Sequence, residues 1–278
     1  MKKAGLMFIL FAGIASGVMA QKSKNKKEKE VAVPYTVANR YFVNNTIADG
    51  AFVLPKITTQ TEFDKLFGMA TVMGKDGQPT PIDFEKQYVI AVIDAVINKS
   101  VSLSVKSLTE KKGTITLTYE RTESGEASSA YFRHCLIVIV DNKYTGEIEV
   151  KNTQGEELIP YKIAQRYFVK NTVKPGSFTV EVTTVEEFDN IFGMATVMGV
   201  DGAPTPIDFS KQYIIGFVNE STNDAVEWTF KSFVKKGGEL VLIYSKKGGE
   251  NPGDAMRYCT VLIVDKKYSG KVKIEQAK

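Results

Sequence analysis

Phe67-Gly68-Met69-Ala70-Thr71-Val72-Met73-Gly74 occurs twice in this chain, returning letter for letter as Phe192-Gly193-Met194-Ala195-Thr196-Val197-Met198-Gly199. The offset is 125 residues, and the similarity spreads in both directions from it. Upstream, Pro34-Tyr35 and Arg40-Tyr41-Phe42-Val43 return 126 residues later as Pro160-Tyr161 and Arg166-Tyr167-Phe168-Val169. Downstream, Arg133, Cys135, Ile139-Val140-Asp141 and Tyr144 return 124 residues later as Arg257, Cys259, Ile263-Val264-Asp265 and Tyr268. A period above 100 residues is too long for a solenoid repeat. Each copy is large enough to bury its own core, so the pattern reads as a duplicated domain.

The expected organisation is a first repeat domain over 34–150 and a second over 160–278. A polar linker at 151–159, containing Gln154-Gly155, would join them. Ahead of the repeats, Lys2-Lys3, the apolar run Ala4 to Ala15 and Val18-Met19-Ala20 have the form of a signal peptide over 1–20. That run is short of the roughly 20 apolar residues a spanning helix needs. No cysteine stands near the cleavage point to take a lipid, and no later stretch is long enough to cross a bilayer. The expectation is export to the periplasm or beyond, through a bacterial inner membrane. Residues 21–33 read as a flexible lysine-rich linker.

Charge placement narrows the function classes. The chain carries +4 over 278 residues, of which Lys2 and Lys3 supply two. Gln21 to Glu30, with five lysines and two glutamates, supplies three more, so Val31 to Lys278 is left at −1. A near-neutral body lacks the cationic surface of a dedicated nucleic-acid binder. With 43% hydrophobic and 24% charged residues the chain is neither disordered nor a disulfide scaffold.

Within a copy the order reads strand, strand, helix, then a run of strands: an α+β domain with a mainly antiparallel sheet and one short helix. Tyr35 to Val43 is rich in aromatic and β-branched residues. Thr59 with Glu62 and Thr184 with Glu187 have the spacing of a capping box. Phe63, Leu66, Phe67 and Ala70 then follow the i, i+3, i+4, i+7 rule of an amphipathic helix. Strand-length runs follow at Tyr88–Ile93, Val101–Leu108, Thr114–Tyr119, Tyr131–Val140 and Glu147–Val150, with Lys111-Lys112-Gly113 as a hairpin turn.

Candidates for chemistry are few. His134 adjoins Cys135, but neighbours on a strand point to opposite faces, and the second copy has Tyr258 in its place. One histidine and two cysteines cannot supply a four-ligand zinc site, so no metal and no cofactor are expected. Cys135 and Cys259 occupy one repeat position and are expected to be buried free thiols. Asp83 and Asp208, in Pro-Ile-Asp-Phe, are the acid–base candidates; the alternative is that they satisfy backbone N–H groups in a turn.

The repeated segment itself is the most informative. Phe67 to Val92 matches Phe192 to Phe217 at 20 of 26 positions, whereas Ala91 to Arg121 matches Gly216 to Lys246 at 8 of 31. One duplication cannot by itself leave so uneven a trace. Either Met69, Val72 and Met73 fill the core, or the loop presents side chains to a partner. On the second reading the candidate binding residues are Met69, Thr71, Val72, Met73 and Asp83, with Met194, Thr196, Val197, Met198 and Asp208 in the second copy.

Residues 57–150 and 182–274 resemble the C-terminal domain of PrcB, a protease-complex subunit. The features are Phe63 and Leu66 on a short helix, Ile82-Asp83-Phe84, and the strand start Tyr88-Val89-Ile90. In the second copy they are Phe188 and Ile191, Ile207-Asp208-Phe209, and Tyr213-Ile214-Ile215. The resemblance implies an exported, non-catalytic domain that associates with or restrains a protease. The expectation is therefore an exported binding protein with a protein partner, a protease among the candidates. Two alternatives stand beside it. One is a hydrolase using Asp83 or Asp208. The other is a cell-envelope carbohydrate-binding or structural module, with Tyr41, Tyr167 and Trp228 as its aromatic residues.

Overall fold

A computed structural model describes residues 29–74, 77–196, 202–250 and 253–277. The expected signal peptide, most of the lysine-rich segment, and Val197 and Met198 lie outside the described residues.

The first half contains β1 (Val31–Ala32), β2 (Tyr35–Val37), β3 (Tyr41–Val43), β4 (Phe52–Ile57), α1 (Gln60–Leu66) and β5 (Phe67–Met69). It continues with β6 (Gln87–Ile93), β7 (Ser100–Lys111), β8 (Thr114–Ser124), β9 (Cys135–Asp141) and β10 (Glu147–Asn152). The second half repeats this order as β11 (Glu157–Leu158), β12 (Tyr161–Ala164), β13 (Tyr167–Val169), β14 (Phe178–Val182), α2 (Val185–Ile191) and β15 (Phe192–Met194). It ends with β16 (Gln212–Val218), β17 (Ala225–Lys236), β18 (Glu239–Gly249), β19 (Cys259–Asp265) and β20 (Val272–Gln276). The molecule is mostly β and mainly antiparallel. Among the described residues the α contribution of the expected α+β class amounts to two seven-residue helices.

Each half has a four-stranded antiparallel sheet, β2-β9-β6-β4 and β12-β19-β16-β14, buried on both faces. In β6, Tyr88, Ile90 and Val92 face one core while Val89, Ala91 and Ile93 face another. That double burial explains why Tyr88 to Ile93 reads as an unbroken apolar run rather than an alternation. On the outer side, Phe63 and Phe67 pack their rings 4.9 Å apart, and Phe63 and Phe188 are each buried against their half's inner sheet.

The helix is shorter than the apolar spacing predicts. It ends at Leu66, and Phe67 takes an extended conformation that starts β5, which pairs with β3 through Phe67↔Val43 and Met69↔Tyr41. Phe67 still reaches the core, but Ala70 is exposed. The 3.6-residue spacing was therefore partly a coincidence of one helix turn followed by a strand. Likewise Tyr35 to Val43 is two strands rather than one. Arg40, at φ 65°, turns the chain out of the inner sheet, and Arg166 does the same at φ 66°. Lys112 and Gly113 both have positive φ, the backbone a tight hairpin turn requires.

The largest departure concerns the linkers. Residues 151–159 belong to a β10–β11 hairpin that pairs Lys151 with Glu157. The hairpin loop is closed by Asn152, whose side-chain oxygen accepts from the backbone of Gln154 and Glu156. Val31 and Ala32, expected to be flexible, pair with Glu110 and Thr109, and Val33 is buried. One sheet, β1-β7-β8-β10-β11-β17-β18-β20, thus runs through both halves. Polar composition marked these stretches as linkers, but two-residue strands at a sheet junction need little apolar surface of their own.

Candidate functional site

The repeated loop leaves β5 and returns to β6 pinned at both ends to the segment before β3. Ala70 N–H donates to the Arg40 carbonyl at 2.9 Å, and Thr80 N–H to the Asn39 carbonyl at 3.2 Å. Thr80 Oγ1 accepts from Asn39 N at 3.0 Å, and the Tyr41 hydroxyl donates to the Thr80 carbonyl at 2.8 Å. The second copy repeats each bond with Ala195 and Arg166, Thr205 and Gln165, and Tyr167. Inside the loop Val72 N–H donates to the Gly77 carbonyl, and a Cβ on Gly77 would stand 1.7 Å from the Val72 carbonyl oxygen. A Cβ on Gly68 would stand 2.3 Å from the Phe42 ring that lies across it. Gly77 is held by backbone geometry, Gly68 by the Phe42 ring across it, and Thr80 and Tyr41 by their hydrogen bonds.

The C-terminal part of the segment is also held by packing. Ile82 and Phe84 lie against the outer core, with the Phe84 ring 5.7 Å from that of Phe63. Asp83 Oδ1 accepts from Glu85 N–H and its Oδ2 takes an ion pair with Lys86 at 3.0 Å. Asp208 accepts likewise from Ser210. The Lys86 hydrogen bond holds Asp83 below the ordinary carboxylate range, and the Ser210 hydroxyl does the same for Asp208. Both are exposed turn residues, whereas a general acid needs a raised pKa.

What packing does not account for is the front of the loop. Met69 is 68% exposed and Met73 is fully exposed; Thr71 and Val72 are exposed as well. None of the four contributes to a core cluster, so the core-filling alternative does not hold for them. In the second copy Met194 is 68% exposed and Thr196 is exposed.

The other candidates are placed differently. Cys135 and Cys259 are free, and each Sγ faces a backbone carbonyl, that of Tyr41 or Tyr167. Burial pushes both thiols up to about 11, which removes the thiolate a nucleophile needs. His134 Nε2 is enclosed without a hydrogen-bond partner among the described residues and makes no bond to Cys135. Arg133 donates to the carbonyls of Ile47, Ala48 and Gly50, and Arg257 to those of Val173, Lys174 and Gly176. These repeated arginines are loop staples. Tyr41 and Tyr167 pack edge-on against Phe63 and Phe188, and Trp228 is partly buried against the second core, so none is an open aromatic platform. Among the described residues no group of His, Cys, Asp and Glu converges to hold a metal, and no helix is long and apolar enough to cross a membrane.

A second feature has no precedent in the sequence reading. Beside the β10–β11 hairpin a cleft of about 530 Å³ is lined by residues of both halves. Phe52, Leu103, Leu158 and Phe233 supply apolar walls, and Asn152 and Glu156 part of the polar lining. Asp94, 9% exposed, accepts from Arg121 Nε at 2.8 Å beside them. The signal was present at the repeat offset. Asp94 and Arg121 become Asn219 and Lys246, and Lys246 again donates to its partner's side-chain oxygen. Both members change together, as a contacting pair would.

Comparison of the chain with models of known protein families, with curated proteins and with solved structures finds no match in any of the three.

Proposed function

We propose that this is an exported, non-catalytic binding protein built from two modules of one duplication. It engages a protein partner through the paired loops at Met69–Met73 and Met194–Met198. One observation carries the reading: the two copies agree most closely along a segment whose described front side chains, Met69, Thr71, Val72 and Met73 with Met194 and Thr196, are exposed and serve no core. An exposed residue constrained only by folding is free to drift, because surface substitutions rarely move stability beyond about 0.5 kcal/mol. Exposed methionines suit protein contact, since the unbranched thioether adapts to an apolar pocket. The resemblance to the PrcB C-terminal domain makes a protease the first partner class to try, in a binding or inhibitory role.

The test uses the purified protein and a Met69→Ser/Met73→Ser/Met194→Ser variant as paired baits in an envelope extract of the source organism. A panel of proteases and a generic hydrolase screen run beside them. The expected outcome is a polypeptide enriched by the wild type and lost by the variant, with both baits unfolding at the same temperature. Equal capture by both baits would exclude the loops. A hydrolase activity abolished by Asp83→Asn/Asp208→Asn would replace this reading with the enzyme alternative.

A further inference from the structure

The halves meet head to tail, so each end of the molecule carries the part of the junction that the other end lacks. In the middle of the long sheet β10 pairs with β11. Around that pair Ala51 N–H donates to the Phe230 carbonyl at 2.8 Å, and the Tyr161 hydroxyl donates to the Ala51 carbonyl at 2.8 Å. The Phe52 and Tyr161 rings lie 4.9 Å apart, and Lys267 Nζ reaches Glu147 at 2.7 Å.

The two outermost strands of the same sheet are β1, the repeat equivalent of β11, and β20, the equivalent of β10. Among the described residues each is paired on one side only. Carried over by the repeat offset, Tyr161 becomes Tyr35, Phe52 becomes Phe178 and Gly50 becomes Gly176, so these three residue types are retained. Both glycines have positive φ. Tyr161 is 5% exposed inside the junction, while Tyr35 is 41% exposed among the described residues. Phe178 packs inward on its own core as Phe52 does, but among the described residues no ring takes the place on Phe178 that Tyr161 takes on Phe52.

We propose that these ends are a head-to-tail interface between copies of this chain. The β20 strand of one molecule pairs antiparallel with β1 of the next, in the manner of β10 with β11. Tyr35 of the incoming copy packs on Phe178, its hydroxyl toward the Ser177 carbonyl. Strand order repeats across the junction rather than mirroring, so the contact is heterologous and builds a ring or an open filament of more than two copies, not an isologous dimer. Charge sets the condition. Glu147 and Lys267 are replaced at the ends by Lys271 and Lys143, a like-charged pair in which Lys143 also lies 3.6 Å from Asp141, and Gln21 to Glu30 ahead of β1 carries a net +3. Association is therefore opposed at low ionic strength and released by screening, as charged edges oppose unwanted strand pairing in general. The proposal does not depend on the binding-loop reading.

Sedimentation velocity of the purified protein tests it, from micromolar to near-millimolar concentration, in dilute buffer and at about 0.5 M salt, where screening acts within roughly 5 Å. The expected result is a mass that rises past the dimer at the higher salt. Lys271→Glu restores an opposite-charge pair with Lys143 and should lower the concentration needed in dilute buffer by about fivefold. Tyr35→Ser should raise it, with thermal unfolding confirming an intact fold. A wild type that stays monomeric at high salt overturns the proposal whatever the variants do. A mass that stops at the dimer, or a folded Tyr35→Ser protein that associates like the wild type, overturns it as well.

Discussion

Asp94 and Arg121 show how much one residue pair depends on its partner. Asp94 is nearly enclosed, and its carboxylate is satisfied by Arg121 Nε and by the backbone N–H of Ala95. Arg121→Ala should leave a buried carboxylate without its cation and cost about 2 kcal/mol, below the range for a fully buried pair because Arg121 is a third exposed. Asp94→Asn combined with Arg121→Lys copies the second half and should recover most of that loss. Urea midpoints of the single and double variants check this, and additive losses would refute the pairing. The thiols make a second prediction. Burial raises Cys135 and Cys259 to about 11, above their ordinary value near 9, so the unfolded chain releases these protons first. Their stabilising contribution is complete below about pH 9 and is lost as pH rises toward about 11, at roughly 2 kcal/mol per thiol. Burial also raises Tyr88 and Tyr119 to about 12, which acts with the same sign. Stability should fall between pH 9 and pH 11, and more gently in a Cys135→Ala/Cys259→Ala variant; an equal fall in both proteins would exclude the thiols. At this scale the two cysteines are free as expected, though only partly buried, and Asp83 and Asp208 take the turn role that stood as the alternative to acid–base work. It missed the Asp94–Arg121 pair, because their contact joins residues 27 apart on different segments.

The two helices test how far a local signal carries. Both begin at a threonine whose hydroxyl accepts from the N–H three residues on, Glu62 or Glu187. Only α2 closes the full capping box, with Glu187 Oε2 accepting from Thr184 N. Thr59→Ala should therefore cost about 1 kcal/mol, and Thr184→Ala somewhat more because the reciprocal bond is also disturbed. Chemical denaturation of the two variants side by side would show it, and equal losses would mean that the second bond contributes nothing measurable. Helix starts were legible in the sequence because a cap involves residues three apart. Helix ends were not. Phe67 leaves the helix to pair with Val43, and Arg40 breaks what reads as one strand into β2 and β3. In both places long-range strand pairing overrides the local period.

For the whole molecule, the continuous sheet and the aromatic contact of Phe52, Tyr161 and Phe230 predict that the halves unfold together. Phe230 is fully buried, with its ring 5.9 Å from that of Tyr161. Phe230→Ala should cost about 3–5 kcal/mol and lower the single calorimetric transition, or split it in two if the junction is the coupling element. Two transitions already present in the wild type would refute the coupling. The sequence by itself carried the repeated identities, most of the strands, the hairpin turn at Lys112-Gly113 and the capped helix starts. All of these follow from identities, periods and spacings that a chain carries locally. Only the tertiary structure decided that residues 151–159 join the sheet, that the front of the repeated loop faces solvent, and that a cleft opens between the halves. Each of these depends on which distant strand lies alongside, and a run such as Met69 to Met73 has the same letters whether it is buried or exposed.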